Sequence, residues 1–146
     1  MMRTLVTFHS DLFNTQEVKE HFLNPCCFGD DAANWIADRL RRAGTAVDEI
    51  EQEDFGWYLT YDTAEGKHCL VIGYRPEDDS GGCWIAWVER HVGFLRSLFG
   101  GRNAVSQSAI AVVHEALQDS EIHDARWHER THFDRGDENR GTETPF

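Results

Sequence analysis

The residues best suited to chemistry stand near the C-terminus, where His128, Glu129 and His132 reproduce the bare His-Glu-x-x-His spacing. On a helix this spacing puts both imidazoles on one face, where they can bind zinc while the glutamate acts as general base. Here Arg126 and Arg130 flank the motif, no apolar helical face surrounds it, and the local alternation favours a strand. We therefore interpret His128 and His132 as surface histidines and expect no bound metal. A metal-dependent hydrolase is the alternative.

Nucleophilic catalysis has little support in the sequence. Cys26 and Cys27 precede a predicted helix, whose dipole could lower a thiol pKa, but no base can be placed beside them. Cys69 and Cys83 fit buried positions. No C-x-x-C spacing is present, and adjacent cysteines pair only under strain, so we expect reduced thiols in a cytoplasmic protein. The sequence favours a non-catalytic protein without a cofactor over an enzyme.

Charge is the strongest global signal. Asp and Glu number 26 against 14 Lys and Arg, for a formal net charge of −12. This balance disfavours nucleic acid and anionic membrane surfaces, and it suits a basic protein partner or a cation. Acidity that only maintains solubility is the competing explanation. The predicted partner-binding residues are Glu51, Glu53, Asp54, Glu77, Asp78 and Asp79.

The acidic pair Glu53-Asp54 runs into alternating aromatic residues. We interpret Asp54 and Gly56 as the geometry of a strand entrance, with Gly56 allowing positive φ or a bulge. A third functional possibility is a small-molecule pocket lined by aromatic residues. Its candidates are Trp57, Trp84 and Trp87, although the last two must point to opposite faces of one strand.

Hydrophobic periodicity predicts the elements that position these residues. A strand at 5–9, a short helix at 15–22 and a secure helix at 30–43 are followed by strands at 47–50, 57–62, 67–74 and 83–88. A helical segment at 94–99, a second principal helix capped by Asn103 or Ser106, and a strand at 122–127 complete the pattern. We predict a two-layer α+β domain over 1–133, with a mainly antiparallel sheet of about five strands against two principal helices. Residues 134–146 are predicted to form a polar, mobile tail.

With 146 residues the chain is long enough to bury a hydrophobic core without the help of disulfides or a structural metal ion. No apolar run approaches the ~20 residues that span a bilayer, and the N-terminus lacks the pattern of a signal peptide. The oligomeric state is not indicated by the sequence.

One resemblance extends over roughly half the chain. The run Asn24-Pro25-Cys26-Cys27-Phe28-Gly29-Asp30, followed by Trp35-Ile36 and Glu53-Asp54-Phe55-Gly56-Trp57, resembles small uncharacterised bacterial proteins with a Glu-Asp-Trp-Gly-Trp signature. Here Phe55 replaces the first tryptophan. The order of one strand, a helix, a meander and a second helix is similar to that of several polymorphic-toxin immunity proteins. The first resemblance brings no established activity with it, and the second is architectural and carries no functional residue across. From the net charge, the acidic loops and the missing catalytic groups we predict a non-catalytic, immunity-like protein-binding module.

Overall fold

The computed structural model describes residues 2–20, 22, 27–54, 56–77, 82–91 and 104–146. Within these ranges the chain is an α+β fold built on a six-stranded antiparallel sheet, one strand more than predicted. The strands are β1 (Leu5–His9), β2 (Glu51–Glu53), β3 (Gly56–Thr63), β4 (Gly66–Arg75), β5 (Cys83–Arg90) and β6 (His123–His128). Their order in the sheet is β2-β3-β4-β5-β1-β6, so β2 and β6 are the edges.

The helices lie at α1 (Asp30–Arg42), α2 (Gln107–Ala116) and α3 (Arg130–Asp134), and a 3₁₀ turn follows at Glu138–Arg140. Helix α1 was predicted within one residue. Its first turn carries Asp30 and Asp31 and its last turn is basic, which suits the helix dipole at both ends. Ser106 caps α2 by accepting the Ala109 N–H at 3.2 Å, one of the two predicted caps.

The core lies between α1, α2 and one face of the sheet, where strand residues alternate inward. Ile36 and Leu40 of α1, with Ile110 and Val113 of α2, are buried there. The sheet contributes Val6, Phe8, Trp57, Leu59, Tyr61, Leu70, Ile72, Trp84 and Trp127.

A guanidinium group joins the two principal helices. Arg39 of α1 donates from Nε to the Ala116 carbonyl at 2.7 Å and from Nη1 to Asp119 Oδ2 at 2.9 Å. Its planar group also lies over the Trp35 ring, 4.7 Å from the centroid. These contacts satisfy a carbonyl at the C-terminus of α2 and fix the two helices against each other.

The C-terminal segment, residues 135–146, folds back onto the sheet. Trp127 in β6 and Thr142 exchange two main-chain hydrogen bonds, at 2.7 and 2.9 Å, on the side of β6 that faces away from β1. Glu138 pairs with Arg75 at 2.6 Å. The segment thus has defined contacts with the domain, and its mobility remains a prediction.

Two predicted elements differ in the structure. Residues 15–20 and 22 form bends and a turn rather than a helix, because the Asn14 side chain bonds the N–H groups of Gln16 and Glu17 and favours a turn there. The predicted strand at 47–50 is reduced to one bridge between Val47 and Tyr61, and the regular pairing begins at β2. The predicted helix at 94–99 lies outside the described residues.

Candidate functional site

The candidate site is the β2 edge of the sheet. Strand β2 pairs only with β3, with Glu51 opposite Tyr58 and Glu53 opposite Gly56. Its alternation leaves Glu51 and Glu53 exposed while Gln52, only 8% exposed, points inward. The edge strand therefore presents two carboxylates on the same side.

Gly56 makes this edge possible. Its φ is 142°, and a Cβ there would lie 2.5 Å from the carbonyl oxygen of Ile72 in β4. Only glycine fits a positive φ with so close a backbone approach. The interpretation of Gly56 as a geometric residue is confirmed.

Three glutamates at the β2 edge form no ion pair with the other residues that the structure describes. Glu49, Glu51 and Glu53 are exposed, and in the part of the chain that the structure describes none of them forms an ion pair. The Tyr58 hydroxyl donates a short hydrogen bond to Glu51. This bond, with burial and the negative charge of Glu51 and Glu53, raises the pKa of Tyr58 to about 12.

A concavity of about 410 Å³ lies beside this edge. Its wall includes Asp48, Glu49, Glu51, Tyr58, Thr60, Lys67 and His91. At one side the Lys67 ammonium lies 2.9 Å from Asp48 and 3.4 Å from Asp62. The hydrogen bond that the Lys67 ammonium donates to Asp48 is the main cause of the raised Lys67 pKa. Carboxylates on this face thus already hold one ammonium group.

Of the other predicted partner-binding residues, Asp54 lies beside the β2 edge and Glu77 lies near Arg75. Asp54 is exposed and directly follows β2. Glu77, just beyond β4, is half-buried and pairs with Arg75 at 3.1 Å, so its charge is largely compensated. Asp78 and Asp79 lie outside the described residues. Sequence reasoning missed Asp48 and Glu49, although five of the seven residues from 48 to 54 are acidic.

The three candidate tryptophans do not form one pocket. Trp57 and Trp84 lie in the core, 5% and 1% exposed, in edge contact with Phe22 and Phe13 respectively. Trp87 is on the opposite face of the sheet, under the Arg130 guanidinium at 4.7 Å. The prediction that Trp84 and Trp87 point to opposite faces is confirmed. The two side chains therefore cannot line the same pocket.

The His-Glu-x-x-His motif spans two elements. His128 is the last residue of β6 and is 4% exposed, whereas His132 lies in α3. Thr7 Oγ1 lies 3.0 Å from His128 Nε2, and Glu129 Oε2 lies 3.0 Å from His132 Nδ1. Because His128 lies on a strand and His132 on a helix, the two imidazoles do not share one helical face, as the zinc-binding motif requires. The expectation of a surface histidine is wrong for His128, since the C-terminal segment covers it. Among the described residues no group of three His, Cys, Asp or Glu side chains could hold a metal ion.

His68 is a second buried histidine, which sequence reasoning did not single out. Its Nδ1 lies 3.2 Å from the Gly66 carbonyl, and its Nε2 accepts the N–H of Ser106 at 3.2 Å. Burial lowers the His68 pKa. Both nitrogens are used in fixing the N-terminus of α2 to the sheet, so the imidazole is not available as a base for the nearby Ser106 and Ser108 hydroxyls.

The cysteines differ in state. Cys69 and Cys83 are free, and burial is the main cause that raises the pKa of Cys69 to about 12 and that of Cys83 to about 11. Such thiols are poor nucleophiles at neutral pH. Cys27 is disulfide-bonded, so the expectation of four reduced thiols is wrong at that residue.

None of the helices in the described ranges is both long and apolar enough to cross a membrane.

Comparison with known proteins finds no relative: no family model matches the chain, and neither a curated protein nor a solved structure matches it.

Proposed function

We propose that this protein is a non-catalytic binding module whose β2 edge docks a basic segment of a partner protein. The docking surface consists of Asp48, Glu49, Glu51, Glu53 and Asp54, and we call it the acidic edge. Its partner chemistry is lysine or arginine side chains on an extended chain segment.

The observation that carries the proposal is that Glu49, Glu51 and Glu53 are exposed and form no ion pair with any other described residue. Other carboxylates meet cations, as Asp119 meets Arg39 at 2.9 Å and Glu89 meets Arg130 at 3.0 Å. Single glutamates such as Glu17 and Glu115 also have no ion pair in the described part of the chain, but Glu49, Glu51 and Glu53 lie close together in one short segment. Like charges so close together on one edge repel each other, and a cationic partner relieves this repulsion. Such a field increases the association rate and selects the partner by charge.

The neighbouring groups fit a cation. Tyr58 supplies an aromatic ring beside the Glu51 carboxylate, and rings with carboxylates are favourable surroundings for guanidinium and ammonium groups. The nearby Lys67 ammonium, held by Asp48 and Asp62, is an internal example of the same chemistry.

The test uses a defined probe, a decapeptide of alternating lysine and threonine, titrated into the ¹⁵N-labelled protein at low salt. We expect amide shifts confined to residues 48–54 and 58–60. The triple substitution Glu49→Gln, Glu51→Gln, Glu53→Gln should weaken binding about tenfold, because each lost charge pair contributes roughly 0.5 kcal/mol.

A matched control removes the same charge elsewhere. Glu17, Glu115 and Glu121 are exposed and have no ion pair in the described part of the chain. Their triple change to glutamine also raises the net charge by three, and it should leave peptide affinity within about twofold, as expected for charges outside the contact. If both triple variants weaken peptide binding equally, the peptide responds to net charge alone and not to the acidic edge, which would contradict the proposal.

We further propose an immunity-like role, in which the acidic edge neutralises a basic toxin. The order of strand, helix, meander and second helix supports this role, together with the net charge of −12. Co-expression with the product of a neighbouring gene tests it. Protection from toxicity that disappears with the Glu49, Glu51, Glu53 triple variant is the expected result.

The alternative, a metal-dependent hydrolase using His128, Glu129 and His132, is tested by metal analysis of the purified protein. Stoichiometric zinc that is lost in His128→Ala would favour the enzyme over the binding module. The positions of these residues on β6 and α3 argue against it.

A further inference from the structure

A cavity of about 400 Å³ lies at the end of β1, distant in the chain from the acidic edge. Its wall is formed by His9, the loop of residues 10–16 except Leu12, Tyr74 and Gly82. This volume is in the range of small-molecule sites.

The loop is held in place by its own contacts. Phe13 is buried, with edge contacts to the rings of Trp35 at 5.8 Å and Trp84 at 5.5 Å. The Asn14 N–H donates to Asp31 Oδ2 at 2.7 Å, and Asn14 Oδ1 accepts the N–H groups of Gln16 and Glu17. The loop therefore keeps its shape without a ligand, which lowers the entropic cost of binding.

Several polar groups on the wall are left unused by the protein. The Asp11 carboxylate, the Thr15 hydroxyl and the Gln16 amide have no hydrogen bond or ion pair in the described part of the chain. The anchored Phe13 and Asn14 thus position a donor and acceptor set that the fold itself does not need.

His9 is the most informative member of the wall. Neither of its ring nitrogens has a hydrogen-bond partner among the described residues, and solvent reaches neither. The side chain is half-buried, but ring nitrogens that are shielded from water without a partner destabilise the folded protein, and a ligand that bonds one of them would offset this cost. The register between β1 and β6 shifts between Thr7 and His9, a β-bulge of the kind that re-aims side chains near sites. A half-turn about the Cβ–Cγ bond exchanges the ring nitrogens with ring carbons and offers a donor or an acceptor to a ligand in the cavity.

The wall selects the class of ligand. The described wall carries no lysine or arginine, which disfavours phosphate and other anions, and it has a single carboxylate, which is too few for a divalent cation. Hydroxyl, amide, carboxylate and imidazole groups beside the rings of Phe13 and Tyr74 suit a neutral molecule with many hydroxyls. We propose that this cavity binds a polyhydroxylated small molecule of monosaccharide size through His9, Asp11, Thr15 and Gln16.

The experiment titrates D-glucose, D-galactose, D-mannose and N-acetyl-D-glucosamine separately into the ¹⁵N-labelled full chain. At least one sugar should produce saturable amide shifts confined to residues 9–16, 74 and 82. Asp11→Ala and Gln16→Ala should each weaken binding at least tenfold, because a site built to bond a hydroxyl loses that bond. Glu17→Gln, at the next exposed position outside the wall, should bind as the unmodified protein does.

A stability measurement separates a binding role from a structural one. His9→Leu should abolish the sugar-dependent shifts while the urea midpoint rises or stays unchanged, since the substitution removes unpartnered polar atoms. A fall in the midpoint would mean that the imidazole stabilises the fold, and it would overturn the proposal. So would no saturable shift with any of the four sugars, shifts that survive Asp11→Ala, or shifts produced by inorganic phosphate alone.

Discussion

The two edges of the sheet are completed in opposite ways. At β6 the chain covers its own edge, because Thr142 exchanges two main-chain hydrogen bonds with Trp127. At β2 the outermost strand has three residues and carries exposed glutamates. Short edge strands with charged side chains resist unwanted pairing with another sheet. The covered edge is therefore closed by backbone contacts, whereas the acidic edge stays accessible and selects by charge.

This difference gives the two edges different roles. The covered edge encloses buried groups, including His128 beneath the Phe133 ring at 5.1 Å. The acidic edge encloses little beyond Gln52, and in the described part of the chain its Glu49, Glu51 and Glu53 form no ion pair. Substitutions at the covered edge should thus change stability, and substitutions at the acidic edge should change binding.

The largest stability effect is expected at Gly56, which begins β3 and pairs with Glu53 but is not itself one of the acidic-edge carboxylates. Gly56→Ala places a Cβ 2.5 Å from the Ile72 carbonyl oxygen at a φ of 142°. We expect a loss of about 3 kcal/mol, from backbone strain and overpacking together. Urea unfolding measures it, and Gly44→Ala is the control because its φ is also positive, 94°, with nothing within 4 Å. If Gly56→Ala loses no more stability than Gly44→Ala, the close approach to the Ile72 carbonyl does not contribute to the effect.

The covered edge should respond next most strongly, to Gly141→Ala. A Cβ at Gly141 would lie 2.6 Å from Cε1 of His128 and 2.8 Å from Cβ of Arg126, while its φ of −65° suits any residue. We expect about 1–3 kcal/mol of destabilisation by overpacking. Hydrogen exchange should also accelerate at the amides of Trp127 and Thr142. Unchanged exchange at both amides would show that the C-terminal segment does not protect this edge, and it would favour the predicted mobile tail.

Acid should weaken the covered edge through His128. Burial lowers the His128 pKa, with Glu138 raising it and Arg3 lowering it to lesser extents. The unfolded chain therefore takes up the proton first, and stability is present above the ordinary histidine pKa of about 6.5 and lost as the pH falls below it. His68 contributes in the same direction. The free energy of unfolding should be lower at about pH 5.5 than at about pH 7.5, and His128→Gln should reduce this difference. An unchanged difference in His128→Gln would exclude a contribution from this imidazole.

The smallest stability effect is expected at the acidic edge itself. The triple change of Glu49, Glu51 and Glu53 to glutamine should alter the free energy of unfolding by less than about 0.5 kcal/mol, because these side chains are exposed and unpaired. Any change should be a gain, since like charges are removed. A clear loss of stability would mean that the glutamates serve the fold, and the contrast between the two edges would fail.

Local sequence patterns were sufficient for much of the fold. Helix α1 was predicted from its apolar stripe and from Gly44, and β4 from the run Leu70-Val71-Ile72 with Pro76 after it. Segment 15–22 was misread because the side chain of one residue, Asn14, decides between helix and turn there. The contact of Thr142 with β6 uses main-chain atoms, so the polar composition of the C-terminal segment does not reveal it.

The candidate site was predictable only in part. A dense run of acids marks the acidic edge in the sequence. Whether Glu49, Glu51 and Glu53 form ion pairs depends on residues that the fold brings near, and among the described residues they form none. The burial of His128 and the enclosure of the His9 nitrogens arise in the same way, from segments distant in the chain.

A charge swap between the two partners tests the central claim most directly. The triple variant Glu49→Lys, Glu51→Lys, Glu53→Lys is titrated with the lysine–threonine decapeptide and with its glutamate–threonine counterpart, beside the unmodified protein. We predict that the unmodified protein binds only the lysine peptide and that the variant binds only the glutamate peptide, each with affinity that falls as salt rises. Undiminished binding of the lysine peptide by the variant would contradict recognition at this edge.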